Sequence, residues 1–239
     1  RENGCDFIVA LGGSVMDASK AIGLMAANGG DLWDYVMFGT GKKQWPQTSS
    51  LPIVAIPTTA GTGSETDGGA VITNPETNEK TGVFGPGTYP VLAIVDPELM
   101  RSVPAEFKAY QGFDALFHST EGYISAARNA FSKMVAAEAI RNVACNLPAS
   151  IREPENMDAM SKVALGSYLS GIQMAVGSCT SAHPLEHALS AYHEKLPHGA
   201  GLIMISKAYY SHFVQQHACD DRFIEMAKLM GMENADKPE

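Results

Sequence analysis

The chain has 239 residues, 45% of them hydrophobic, enough for one large or two small globular domains with a packed core. Its net charge of −9 argues against nucleic acid or an anionic membrane surface as a partner. Four dispersed cysteines (Cys5, Cys145, Cys179, Cys219) fit a reduced, cytoplasmic protein rather than a disulfide framework, and no apolar run reaches the roughly eighteen residues of a membrane span.

Asp6 to Leu11 is a short apolar run bounded by Gly12-Gly13, the pattern of a buried strand. The next segment predicts a helix over 14–28 with Ser14 as N-cap. A strand, two glycines and a helix start present backbone N–H groups and the helix dipole to an anion, although any tight turn in an α/β protein has the same outline. A short helical piece is expected around 32–37, and a strand over 51–56. That strand runs into Pro57 to Gly69, PTTAGTGSETDGG, a loop whose backbone and hydroxyls can approach a phosphate or ribose closely. A strand over 70–73, a turn over 74–80 and a strand over 91–95 follow.

Beyond Pro104 the pattern is helical almost throughout, with long helices over 127–147 and 155–176 and two more over 200–213 and 222–230. This places a boundary near residue 103, with an α/β domain over 1–103 and an all-helical domain over 104–239.

Between Ser181 and Gly199 lie four of the seven histidines, His183, His187, His193 and His198. His183 and His187 are four apart, on one face of a helix that Pro197 is expected to end, leaving His198 at a helix start or in a loop. Asp114 and His118, in GFDALFHSTEGY, form a second such pair. A pair on each of two helices plus one more histidine is a common way to build a metal site in a helical bundle, and one carboxylate with three imidazoles suits Fe²⁺ or Zn²⁺. Spacing alone leaves five histidines available as ligands, those at 118, 183, 187, 193 and 198.

The segments GGSVMDASK (12–20), IPTTAGTGSE (56–65), AIVDPEL (93–99), GFDALFHSTEGYIS (112–125) and EHALSAYHEKLPHGAGL (186–202) together resemble the iron-containing, group III metal-dependent alcohol dehydrogenase family, in its order and at compatible spacing. The resemblance implies a partial, Rossmann-like dinucleotide-binding domain followed by a helical metal-binding domain. It also implies that both ends of the family's full length are missing from this sequence, including the part that chooses NAD over NADP. It implies that Asp114, His118, His183 and His198 bind Fe²⁺, or Zn²⁺ as in some members. His187 would be catalytic, helping proton transfer beside the metal, while His193, His212 and His217 have no assigned role.

NAD or NADP would be held by Gly12, Gly13, Ser14 and Asp17, by Thr58, Thr59, Gly61, Thr62 and Ser64, and by Lys80 at a ribose. Thr66 to Gly69 departs from the family's usual pattern. The implied reaction interconverts primary alcohols and aldehydes by hydride transfer, in a homo-oligomer of two or more chains. Phe113, Phe117, Tyr168 and Met174 are candidates to line the substrate pocket. The competing readings are a glycerol-dehydrogenase-like or dehydroquinate-synthase-like metalloenzyme, and a non-catalytic nucleotide- or metal-binding fragment.

Overall fold

A computed structural model describes residues 4–238. Strand β1 (Ile8–Leu11) pairs in parallel with β2 (Ile53–Ile56), Ile8 opposite Ile53, and β2 pairs in parallel with β5 (Leu92–Ala93). Helix α1 (Gly13–Asn28) connects β1 to this sheet and packs on one of its faces, where Ala10, Met16, Ile53 and Ala55 are buried. Val9 and Leu11 point to the other face and are exposed, so this strand is covered on one side only. The expected strand over 91–95 is reduced to two residues.

Strands β3 (Ala70–Asn74) and β4 (Glu79–Val83) form a separate antiparallel hairpin. The turn expected over 74–80 is therefore tighter, with Asn78 at φ 52°. Strand β4, EKTGV, escapes a periodicity reading because its sequence is polar. What fixes it is backbone pairing with β3 and burial of Val83 against Ala70 and Leu24.

The rest of the chain is helical: α2 (Ala105–Ile124), α3 (Ala130–Arg152), α4 (Met157–Gly177), α5 (Ala182–Tyr192), α6 (His198–Gln215) and α7 (Asp220–Leu229). Asn129 caps α3 by accepting from Ser132 N, and Ser132 Oγ in turn accepts from Asn129 N. Helix α3 continues through Pro148, past the expected end at 147, because it is packed along both α2 and α4 and Leu147 and Ser150 are buried on either side of the proline. Helix α5 stops at Tyr192, and Pro197 serves as the cap of α6. Among the described residues no helix is long and apolar enough to cross a membrane.

The loop between β2 and β3 joins the sheet to the bundle. Gly63 adopts φ 64°, and a Cβ there would lie 2.6 Å from the backbone nitrogen of Gly171 on α4. Thr66 Oγ1 donates to the carbonyl of Tyr168 at 2.9 Å, which ties the same loop to α4 a second time.

Candidate metal centre and cofactor cradle

Asp114 and His118 lie one turn apart on α2, and both are buried. His183 sits in the first turn of α5, and His198 is the first residue of α6. These three helices bring the Nε2 atoms of His118, His183 and His198 to 3.2, 3.2 and 3.4 Å from one oxygen, Oδ1 of Asp114. The rings of His118 and His183 stack at 3.9 Å between centroids. A tetrahedron with ligand bonds of about 2.1 Å has edges of about 3.4 Å, and the three edges from Asp114 Oδ1 match it; the donor atoms of Asp114, His183 and His198 lie within 4.8 Å of one another, while His118 groups with His183 and Cys179.

Each of the three imidazoles is also held by its other nitrogen. His183 Nδ1 lies 2.5 Å from Glu121 Oε1, His198 Nδ1 bonds Glu186 Oε2, and His118 Nδ1 lies 3.5 Å from Cys179 Sγ. Such outer partners orient the rings, and a carboxylate at Nδ1 favours the tautomer whose Nε2 can bind a cation once any proton there is displaced. Glu121 also accepts from Thr180 Oγ1 and Ala182 N. Spacing carried a signal for these residues: Glu121 is seven after Asp114 and three after His118, and Glu186 is three after His183. Sequence reading passed over both because an acid on a helix is usually a solvated one.

The electrostatics follow from burial and proximity. Burial alone would raise the Asp114 carboxyl, but the facing His118 and His198 hold it well below the usual carboxylate range. Burial pushes His118 down. Burial would also lower His183, yet its bonds to Asp114 and Glu121 bring it up to about 9. His187 lies beside the cluster, its ring 5.3 Å from that of His198 and 6.2 Å from that of His183. Burial, reinforced by His198 and Lys80, pushes it down to about 2, so it is neutral. His193, His212 and His217 are exposed, and His217 pairs with Asp220.

The residues expected at the dinucleotide divide into two groups. Gly12 (φ 110°) precedes α1, which begins at Gly13 and not after a Ser14 cap; no side chain caps it. A Cβ on Gly12 would meet Thr58 Oγ1 at 3.4 Å and one on Gly13 would meet Thr59 Oγ1 at 3.4 Å and Thr62 at 3.7 Å. The two loops thus form a single cradle at an uncapped helix N-terminus, with Ser14 exposed at its rim.

The other residues expected at the cofactor also make contacts within the protein. Asp17 turns inward, accepting from Ser64 Oγ at 2.6 Å and Val71 N at 2.8 Å. Ser64 is buried and also accepts from Lys20 Nζ at 2.7 Å. Gly61 packs against α2, where a Cβ would lie 2.9 Å from Gln111. Lys80, expected at a ribose, directs its ammonium to Ser190 Oγ at 2.9 Å and Glu186 at 3.5 Å, because β4 packs on α5. Lys20, which sequence reading did not single out, is fully buried and also donates to Gly69 O and Asp67.

Phe113 and Phe117 line an apolar groove of about 660 Å³ between α2, α6 and α7. Leu116 and Thr120 line it too, on a face of α2 other than the one carrying Asp114, His118 and Glu121. Tyr168 and Met174 lie on α4 and do not line this groove.

Residues 1–97 match the model of the iron-containing alcohol dehydrogenase family, and residues 108–239 match that of the Fe-containing alcohol dehydrogenase family, C-terminal. The chain is 35% identical to the NAD-dependent methanol dehydrogenase of Bacillus methanolicus, over 97% of this chain and 59% of that protein. It superposes on a crystal structure of 1,3-propanediol oxidoreductase with a TM-score of 0.88 at 34% identity, covering 97% of this chain and 59% of that one. It superposes on sulfoacetaldehyde reductase from Bifidobacterium kashiwanohense in complex with NAD+ with a TM-score of 0.85 at 33% identity, over 97% and 60%. The chain thus spans about three fifths of the length of these relatives.

Proposed function

Because the chain belongs to the iron-containing alcohol dehydrogenase family, we propose that the protein interconverts primary alcohols and aldehydes by hydride transfer with NAD or NADP. The observation that carries this reading is the convergence of three histidine Nε2 atoms on Asp114 Oδ1, each ring held by a second partner. Asp114, His118, His183 and His198 would hold a ferrous ion, with zinc as the alternative. When bound, the metal supplies Lewis acidity and the dinucleotide supplies a hydride donor or acceptor.

The chain's own residues have the remaining tasks. The N–H groups of Gly13 and Ser14 at the uncapped start of α1, with the hydroxyls of Thr58, Thr59 and Thr62, would meet a pyrophosphate, and Gly12, whose own N–H is bonded to Ile56 O, keeps the turn bare of a side chain. The network of Asp17, Ser64, Lys20 and Asp67 lies behind that cradle and keeps the loop against α1. His187, next to the cluster, would relay the hydroxyl proton of the substrate by giving a proton from one nitrogen as it accepts on the other, with no imidazolium accumulating, since burial and its neighbours disfavour the charged ring. The division near residue 103 then separates a cofactor-holding domain from a metal-holding one. A cytoplasmic location and a homo-oligomeric assembly belong to the same reading.

The test is nicotinamide absorbance during aldehyde reduction by the full-length protein. It would be loaded anaerobically with ferrous iron or zinc and given NADH and NADPH separately, with His183→Ala as control. Turnover that needs metal and is lost in His183→Ala is the expected result. Metal binding without turnover on a panel of small aldehydes and diols, with either cofactor, would sink the dehydrogenase reading.

A further inference from the structure

We propose that Glu186 is a positioning residue of the metal centre: its buried carboxylate aims His198 at Asp114, and Lys80 secures that carboxylate from the other half of the chain. The inference rests on the metal-binding reading above.

The three histidines are not equally constrained. His118 lies well inside α2 and His183 in the first turn of α5; their side chains are 10% and 7% exposed, and they stack on each other. His198 opens α6 directly after the connection over 193–197, and its side chain is 26% exposed. Backbone position and packing therefore define its ring least. A bond to Nδ1 is what can stop the ring from turning away, and an acceptor there also fixes the tautomer with a free Nε2.

Glu186 supplies that acceptor. It lies one turn beyond His183 on α5, is 0% exposed, and bonds His198 Nδ1 with Oε2. Helix α6 approaches it closely because residue 201 is glycine; a Cβ there would lie 2.8 Å from Glu186 Cγ and Oε1. Among the described residues Oε1 has no hydrogen-bond partner. A fully buried carboxylate with one bare oxygen is a costly way to fill space, and an apolar or amide side chain would fill it at lower cost. Its bonds go to His198 and to Lys80, whose ammonium lies 3.5 Å from Oε2 and is itself anchored by Ser190 Oγ. Lys80 comes from the β3–β4 hairpin, so the aim of a metal ligand in the bundle depends on a residue of the α/β half.

The test uses Co²⁺ as a spectroscopic probe, titrated into the full-length protein and into Glu186→Gln and Glu186→Met. Methionine keeps length and loses the acceptor; glutamine keeps both but accepts more weakly. The expected order of Co²⁺ affinity is wild type, then Gln, then Met, with Met weaker than wild type by about 10–100-fold. The visible absorption band should shift in both variants. A purely space-filling role would alter the melting of the metal-free protein and leave affinity and band unchanged. Wild-type affinity and band in the Gln variant, or a Met variant that binds as well as Gln, would overturn the proposal. If the Met variant does not melt cooperatively, the Gln comparison decides alone. Failure of the wild type to bind Co²⁺ would instead overturn the metal-centre reading, and this inference with it.

Discussion

Glu121 Oε1 lies 2.5 Å from His183 Nδ1, while Asp114 Oδ1 lies 3.2 Å from Nε2 of the same ring. One buried imidazole is thus held between two buried carboxylates. Replacing Glu121 with alanine strips the ring of one partner and leaves Thr180 Oγ1 and Ala182 N without their acceptor. We expect Glu121→Ala to lower the stability of the metal-free protein by about 3–5 kcal/mol. Denaturant unfolding measures it, and a loss near zero would mean that Glu121 is not charged and bonded as the geometry requires.

Lys20 is the only cation facing Asp17 and Asp67 among the described residues of this network. Burial already pushes both carboxyls up, and Lys20 opposes that in each case. Lys20→Met should therefore destabilise by about 3–5 kcal/mol. In the full-length enzyme it should raise KM for the dinucleotide more than it lowers kcat, because it supports the cradle and does not face the metal cluster. Steady-state kinetics with varied cofactor separates the two. A fall in kcat alone would place Lys20 in the chemistry instead.

Glu65 is 4% exposed, and burial raises its carboxyl to about 7. Its folded value lies above its unfolded one, so the folded state binds the proton more tightly. The stability this contributes is complete below about pH 4.5 and is lost as the pH rises through about 7. Stability of the wild type should fall across that window by an amount on the order of 2–3 kcal/mol more than in Glu65→Gln. Parallel urea titrations between pH 4.5 and 8 test it; identical slopes in the two proteins would show that Glu65 is solvated.

A Cβ on Gly171 would lie 2.1 Å from Gly63 O and from Thr66 Oγ1. Both contacts are part of the seam between the β2–β3 loop and α4. We expect Gly171→Ala to cost about 1–3 kcal/mol through overpacking, and to loosen dinucleotide binding as the loop is pushed off the helix. Gly82→Ala is the control, since nothing lies within 4 Å of its added carbon. Thermal melts showing equal effects at the two positions would rule out the seam as the cause.

Much of the site was legible because its signals are local. Asp114 and His118 share a helix face at a four-residue spacing, as do His183 and His187, and that follows from 3.6 residues per turn wherever the helices go. The strand, two glycines and helix start at Ile8 to Ser14 likewise repeat a local rule. Strand β4 was not legible, since only pairing with β3 makes EKTGV extended. Nor was the full length of α3, whose packing outweighs the local cost of Pro148.

The amino-acid order by itself determined which residues are candidates for the chemistry and which stand one helical turn apart. Only the tertiary structure decided which of them meet. Three crossing helices bring the Nε2 atoms of His118, His183 and His198 to one oxygen, and turn His187 and His193 out of that set. Docking of β4 on α5 carries Lys80 to Glu186 and Ser190, and burial of α1 under the loop turns Asp17 and Lys20 inward. These contacts join residues far apart in the chain, so they depend on how helices and strands pack against one another, which no short-range pattern records.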